Sequence, residues 1–327
     1  MDLIDKKILI IQTGGLDEVV HSLPLIVALK KECSSLYIAY VVQEKLSDLI
    51  WDNPVIDKVY EFSSKKNNIF DLISQIKKEK YDFVIDLNKS FDNFVISSFC
   101  GAKSKINRER VKKSLEISNH PVNLNLGYAK KLGCKDLNVE FKLPDLSPKY
   151  NNEITYLIDN LDKSKKTILI APASDCENKQ WKLKGWVDLI NEMKDENNII
   201  LVGSQKEKFY ISLILSFIVG GNILDLSAKT TISDIEYACK KADIVVGVDS
   251  DYLQLAWAAG AKNILSMFFA TTSKIKAPFG ACYISIESKA DCSPCMQKMC
   301  TQKTKINKCT KDILPIQIIN IVKRVLH

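Results

Sequence analysis

Four cysteines, Cys292, Cys295, Cys300 and Cys309, fall within 18 residues near the C-terminus in the spacing C-x2-C-x4-C-x8-C. Thiolates crowded in this way repel one another and desolvate poorly, so the spacing points to disulfides or to one shared metal ion. At the other end, Met1 to Lys7 put charge ahead of a short apolar run, Ile8–Ile11, which is unlike a secretory leader. The expected compartment is therefore the cytoplasm, where thiols stay reduced. A reduced set of this spacing suits a tetrahedral Zn²⁺ or Fe held for structure, with four unliganded surface thiols as the alternative.

Three further stretches carry groups that could do chemistry. In Thr13-Gly14-Gly15-Leu16-Asp17-Glu18, two glycines allow a tight turn while two carboxylates stand at the start of the following helix. A carboxylate there can accept a proton from a hydroxyl nucleophile, or it can simply cap the helix. In Ala171-Pro172-Ala173-Ser174, followed by Lys179-Gln180-Trp181, a hydroxyl and an ammonium at a strand-to-helix junction can hold a phosphate. Trp181 and Trp186 are expected to be core anchors. In Val246-Gly247-Val248-Asp249-Ser250-Asp251, short side chains at a helix start suit a phosphate or a sugar, and Ser250 and Asp251 could equally be caps. Neither G-x-G-x-x-G nor G-x-x-x-x-G-K-[ST] occurs, so this is no ordinary dinucleotide or nucleotide-triphosphate fingerprint.

The elements that must position these groups can be read from hydrophobic period. Ile8–Gln12, Leu36–Val42, Lys58–Phe62 and Phe83–Leu87 predict strands, with helices over Asp17–Lys31, Glu44–Asp52 and Phe70–Lys78. The pattern restarts with strands at Thr167–Ala171, Ile199–Val202, Ile223–Leu226, Ile244–Val246 and Asn263–Met267. Helices are predicted between them at Gly185–Lys194, Lys206–Val219, Thr231–Lys241 and Tyr252–Ala259. Alternating apolar strands and helices imply α/β architecture with parallel sheets covered on both faces. The polar stretch Asp145–Lys166 reads as the connection between two such units, taken as residues 1–155 and 156–327. Ligands are expected in the cleft beyond the strand C-termini.

Composition excludes some classes. The chain of 327 residues is 46% hydrophobic and 26% charged, as in an ordinary soluble globular protein, and contains no apolar run approaching the ~20 residues that span a bilayer. Its net charge of +7 is modest. The basic stretch Lys103–Lys113 suits a membrane surface or an anionic acceptor, or is a solvated face. Without interleaved aromatics or a recognisable module, a nucleic-acid partner is not expected. The six other cysteines, Cys100 and Cys239 among them, are expected in the core. His21 is expected to pack in its helix, and His120 and His327 show no evident partners in the sequence.

Taken in order, these motifs resemble those of the lipopolysaccharide heptosyltransferases, glycosyltransferase family nine. The resemblance runs from Lys7 to the last helix. It rests on Leu16-Asp17-Glu18-Val19-Val20-His21-Ser22-Leu23-Pro24, on Lys179-Gln180-Trp181 with Trp186, and on Leu226-Ser227-Ala228-Lys229-Thr230-Thr231-Ile232. Ala242-Asp243-Ile244-Val245-Val246-Gly247-Val248-Asp249-Ser250-Asp251 adds to it, as does Cys292–Cys309 followed by Asp312-Ile313.

The resemblance implies a GT-B fold, in which two Rossmann-like domains face a cleft, the first holding the acceptor and the second the nucleotide sugar. It implies inverting transfer of heptose from ADP-heptose to a hydroxyl of a lipopolysaccharide core, without a catalytic metal, at the inner face of the inner membrane. Glu18 would be the general base, with Asp17 beside it. Ser174 and Lys179 would grip the diphosphate, Glu207 the ribose hydroxyls, and Asp249, Ser250 and Thr271 the sugar and phosphates. The Cys292, Cys295, Cys300 and Cys309 metal would be structural. The family pattern has glycine where Asp17, Asp251 and Phe269 stand here, and histidine where Gln254 stands. A protein acceptor such as an adhesin, or a GT-B-shaped binding protein without turnover, are the alternatives.

Overall fold

Apolar runs become the strands of two parallel sheets in the computed structural model, which describes residues 3–63, 69–88, 90–106, 120–138, 149–174, 176–280, 283–301 and 308–327. The chain divides into two compact units, Met1–Leu146 and Ser147–His327. The first contains β1 (Lys7–Gln12), α1 (Leu16–Glu32), β2 (Tyr37–Gln43), β3 (Lys58–Phe62), α2 (Ile69–Lys78), β4 (Phe83–Asp86), α3 (Phe91–Phe99), β5 (Ser104–Ile106) and α4 (Pro121–Leu132). Its sheet runs β3-β2-β1-β4-β5 and every pairing is parallel. Because helices cover both faces, β1 is apolar without alternation, and Ile8, Leu9, Ile10 and Ile11 are all fully buried.

The second unit begins with α5 (Asn152–Asp159), followed by β6 (Lys166–Ala171), α6 (Leu183–Met193), β7 (Asn197–Leu201), α7 (Lys208–Leu215) and β8 (Asn222–Asp225). It continues through α8 (Ile232–Lys241), β9 (Ile244–Val248), α9 (Asp251–Ala258), β10 (Ile264–Phe268), α10 (Ser273–Lys276), β11 (Tyr283–Glu287) and α11 (Pro315–Leu326). The sheet order is β11-β10-β9-β6-β7-β8, again all parallel. Trp181 and Trp186 meet edge to face at 5.0 Å in its core, as their size and flanking pattern predict.

Several elements differ from the sequence reading. The segment Glu44–Leu49 is a 3-10 helix rather than an α-helix. The polar connection contains α5, started by Asn151, whose side chain accepts from the Glu153 N–H, and packed through buried Ile154 and Ile158. Asp159 at its end receives the Tyr237 hydroxyl at 2.7 Å and pairs with Lys241 at 3.1 Å, both on α8, so a boundary at residue 155 would cut a helix that belongs to the second unit. The expected long helix Lys206–Val219 shortens to α7 and gives way to Gly220 and Gly221, both at positive φ. The helices α3 and α4 and the edge strands β5 and β11 were not legible as such. Among the described residues no helix is long and apolar enough to cross a membrane.

Both sheets share a feature that decides where a ligand can sit. Strand order reverses between β1 and β4 in the first and between β6 and β9 in the second. At such a switch point, neighbouring loops leave in opposite directions and open a crevice beyond the strand C-termini.

Candidate active site

In the first unit, the switch point is walled by the loop after β1 and the start of α3. Gly15 caps α1, and Glu18, the third residue of that helix, turns its carboxylate back so that Oε2 accepts the Gly15 N–H at 3.0 Å. The Asp17 Oδ1 accepts from the Glu18 N–H at 2.9 Å. Both acids thus sit at the positive end of a 17-residue helix, half-buried. Gly14 is required by this arrangement, since a Cβ there would lie 1.8 Å from Glu18 Oε2. The buried Gln12 holds the turn by accepting the Gly14 N–H at 3.1 Å.

Beside this turn lies a polar cluster that the sequence reading missed. The Thr13 hydroxyl donates to Asn93 Oδ1, and the Asn93 amide donates to Asp86 Oδ1 at 3.0 Å. Lys105 approaches Asp86 Oδ2 at 3.8 Å. Burial pushes the Asp86 carboxyl above its ordinary range, against the opposing pull of Asn93 and Lys105. The available signal was an acid at a strand end followed by Ser90, whose hydroxyl accepts the Asn93 N–H and caps α3. His21 is buried in α1, as expected. His120 is also buried, with its ring 5.3 Å from His21 and its Nδ1 accepting the Val122 N–H, so it caps α4 rather than standing without a partner.

In the second unit, three of the sequence-selected residues come into contact. The Lys179 ammonium lies 2.9 Å from Asp249 Oδ2, and the Thr271 hydroxyl donates to the same oxygen at 2.8 Å. Lys179 follows β6, Asp249 follows β9 and Thr271 follows β10, so the cluster straddles the switch point. Gly247 permits the close approach of β9 to β6, because a Cβ there would stand 2.8 Å from the Ala171 carbonyl oxygen. Ser250 caps α9, yet its Oγ is buried and makes no hydrogen bond, leaving the first turn of that helix with an unused hydroxyl. Ser174 is buried on the loop after β6, its carbonyl receiving Gln180 Nε2 at 3.0 Å.

Glu207 lies one strand further out. It accepts the Ser204 N–H at 2.7 Å and is hydrogen-bonded to Tyr252 on α9, whose phenol is pushed up first by burial and then by the Glu207 charge. Gln254 donates to the Lys276 carbonyl at 2.7 Å and so ties α9 to α10. Glu287, also missed from the sequence, receives the Thr272 hydroxyl at 3.0 Å and secures the loop that carries Thr271.

The cysteine segment is adjacent to these loops. Cys309 is buried, while Cys292, Cys295 and Cys300 are half-exposed. Burial pushes the Cys309 thiol up to about 11, with Cys292, Cys295 and Cys300 raising it further. Among the described residues, no three His, Cys, Asp or Glu side chains stand in a liganding arrangement. Of the other cysteines, Cys100, Cys134, Cys176 and Cys239 are buried, Cys33 is half-exposed against expectation, and Cys282 lies outside the described residues. Of the basic stretch, Lys103 pairs with Asp82 at 2.8 Å and Lys105 with Asp86, and residues 107–113 lie outside the described residues.

Comparison with known proteins places these features in a family context. The family model "Glycosyltransferase family 9 (heptosyltransferase)" matches residues 69–306. Lipopolysaccharide heptosyltransferase 1 of Campylobacter coli is 25% identical over 291 residues, which are 82% of this chain and 85% of that protein. The crystal structure of a family 9 glycosyl transferase from Veillonella parvula superposes with a TM-score of 0.83 at 16% identity, covering 100% of this chain and 98% of the other. The E. coli heptosyltransferase WaaC with ADP gives 0.73 at 14% identity, covering 98% and 99%. The iron-containing dodecameric glycosyltransferase TibC of enterotoxigenic E. coli gives 0.57 at 11% identity, covering 99% and 77%. The fold is therefore that of the GT-B heptosyltransferases.

Proposed function

This chain belongs to glycosyltransferase family 9, the heptosyltransferases, and from that premise we propose that it transfers heptose from ADP-heptose to a hydroxyl of a lipopolysaccharide core. The observation that carries the donor assignment is the Lys179–Asp249–Thr271 cluster beside the unused Ser250 hydroxyl at the start of α9. A cation, a free hydroxyl and a helix N-terminus at a switch point form a site for an anion such as a diphosphate. The relatives support the same reading: one similar protein is named a lipopolysaccharide heptosyltransferase and another was solved with ADP.

In the reaction, the acceptor oxygen attacks the anomeric carbon from the face opposite the leaving group, which inverts the configuration. Glu18 takes the hydroxyl proton as the new C–O bond forms, and the bond to ADP breaks. Lys179, the Ser250 hydroxyl and the α9 N-terminus stabilise the charge gathering on the departing diphosphate. Ser174 adds a contact to the phosphates, Glu207 binds the ribose hydroxyls, and Asp249 and Thr271 hold Lys179 and the sugar. Asp17 fixes the backbone that carries Glu18. This chain's own cation and helix end supply the electrostatics, so the chemistry uses no catalytic metal.

Cys292, Cys295, Cys300 and Cys309 would hold one Zn²⁺ or Fe ion that crosslinks the segment before α11. Four thiol donors in this spacing are the set such an ion takes, and a structural neighbour is iron-containing. Metal analysis of the purified chain should return about one ion per molecule, lost in Cys309→Ser. The expected acceptor is membrane-bound, which would bring the protein to the cytoplasmic face of the inner membrane.

Calorimetric titration with ADP, ADP-heptose, UDP-glucose and CMP-sialic acid tests the donor. Selective binding of the two adenine ligands, weakened in Lys179→Ala, is expected. Preference for another nucleotide would change the donor, and binding of none would favour a protein without turnover.

A further inference from the structure

The half-exposed cysteine turn touches both loops that form the diphosphate site. On one side, the Ser293 hydroxyl donates to the Phe269 carbonyl and the Met296 N–H donates to the Ala270 carbonyl at 2.8 Å, immediately before Thr271. On the other, the Asn178 side-chain amide donates to the Gln297 carbonyl at 3.2 Å and the Cys176 thiol to the Lys298 carbonyl at 3.4 Å, immediately before Lys179. Met296 turns the chain between these contacts with φ of 56°. Asn178, Phe269 and Ala270 are at most 2% exposed, while Met296, Gln297 and Lys298 lie at the surface, so these bonds tie an exposed turn to the edge of the core.

Glu177–Lys179 form a single 3-10 turn. Successive side chains on such a turn point about 120° apart. Asn178 can therefore be anchored in the cysteine turn while Lys179 reaches Asp249. Within the turn Asn178 supplies the side-chain bond to the cysteine segment, and Cys176 just before it supplies a second.

We propose that Asn178 is a positioning residue, which through the Gln297 carbonyl sets Lys179 against Asp249 and Thr271, so that the cysteine turn braces the donor site from behind. The proposal rests on the reading that Lys179 engages the donor diphosphate. It makes donor affinity depend on the segment between Cys292 and Cys300, a part of the chain that touches neither nucleotide nor acceptor in that reading.

The test is ADP calorimetry on the full chain, with Asn178→Ala, Asn178→Asp, Lys179→Ala and the Asn178→Ala/Lys179→Ala double variant. Asn178→Asp keeps the shape and removes the donor. Each Asn178 variant should bind ADP about 5- to 10-fold more weakly, the worth of one hydrogen bond. In steady-state transfer the donor KM should rise by a similar factor with the acceptor KM unchanged. In the double variant the Asn178 substitution should add less than about twofold, because its effect passes through Lys179. Equal weakening in the presence and absence of Lys179 overturns the proposal, as does unchanged binding in both Asn178 variants. Unfolding of both would make Asn178 a core residue and also overturn it. If instead the wild type ignores ADP, or Lys179→Ala binds ADP like the wild type, the donor reading itself has failed and the brace falls with it.

Discussion

The ammonium of Lys179 and the hydroxyl of Thr271 converge on a single oxygen, Oδ2 of Asp249, at 2.9 and 2.8 Å. In the free protein the candidate phosphate-binding cation is thus already paired with a carboxylate, and an incoming diphosphate must share it. Asp249 is nearly buried, and removal of either partner leaves the other with less compensation. Lys179→Ala should weaken ADP binding by at least about tenfold, or ~1.4 kcal/mol. Asp249→Asn, which keeps the shape and discharges the competitor, should bind ADP no more weakly than the wild type while turning over more slowly. Parallel calorimetry and rate measurements on the two variants check this pair of outcomes.

Glu18 serves the fold and, in the proposed reaction, the chemistry, and the two roles separate on substitution. Glu18→Gln keeps an oxygen for the Gly15 N–H, so melting should be unchanged while kcat falls by about 10²- to 10⁴-fold. Glu18→Ala should also lose the capping bond, costing about 1 kcal/mol. If Glu18→Gln turns over at the wild-type rate, Glu18 is a cap only.

Gly14→Ala approaches the same carboxylate from the other side. The new Cβ would lie 1.8 Å from Glu18 Oε2, the end of a flexible side chain that can swing away. The displaced carboxylate also loses its bond to the Gly15 N–H, costing about 1 kcal/mol as in Glu18→Ala, and a shift of ~1 Å should cost about 10²-fold in kcat. Wild-type kcat in this variant would show that Glu18 need not occupy its observed position.

The acid Asp86 gives a pH signature in the first unit. Its carboxyl is raised by burial above 3.8, so the folded state holds its proton more tightly than the unfolded chain does. Stability from this group is therefore fully present below that value and is lost as pH rises through the folded one. Asp86→Asn, which can still accept the Asn93 amide, should melt roughly 2 °C higher than the wild type at pH 7. The two should converge near pH 3.8. A melting point at pH 7 below that of the wild type would mean that Lys105 and Asn93 outweigh the desolvation of the charge.

The strands and the loop positions of the site were legible because a parallel strand buried on both faces is an uninterrupted apolar run, as Ile8–Ile11 and Ile168–Ile170 are. Asp249 and Thr271 stand out as polar residues just past such runs, and Lys179 as the cation before Trp181 at the opening of the next helical region. Their convergence on one oxygen depends on strand order, which linear spacing does not contain. Asp86, Asn93 and Thr13 come from three elements up to 80 residues apart, and each alone reads as an ordinary turn or cap residue. The edge strands β5 and β11 escaped notice because they are short or half-exposed and lack a continuous apolar signal. Asn178 gave no signal at all, because its partner is a backbone carbonyl 119 residues away.

The most direct measurement is transfer itself. The purified protein is incubated with ADP-heptose and a lipid A–core acceptor lacking heptose, and the acceptor is weighed by mass spectrometry while ADP release is followed. A gain of one heptose per acceptor, matched by one ADP and abolished in Glu18→Gln, is the expected result. Stable ADP binding with neither ADP release nor a heavier acceptor would contradict the heptosyltransferase assignment and leave a nucleotide-binding protein of the same fold.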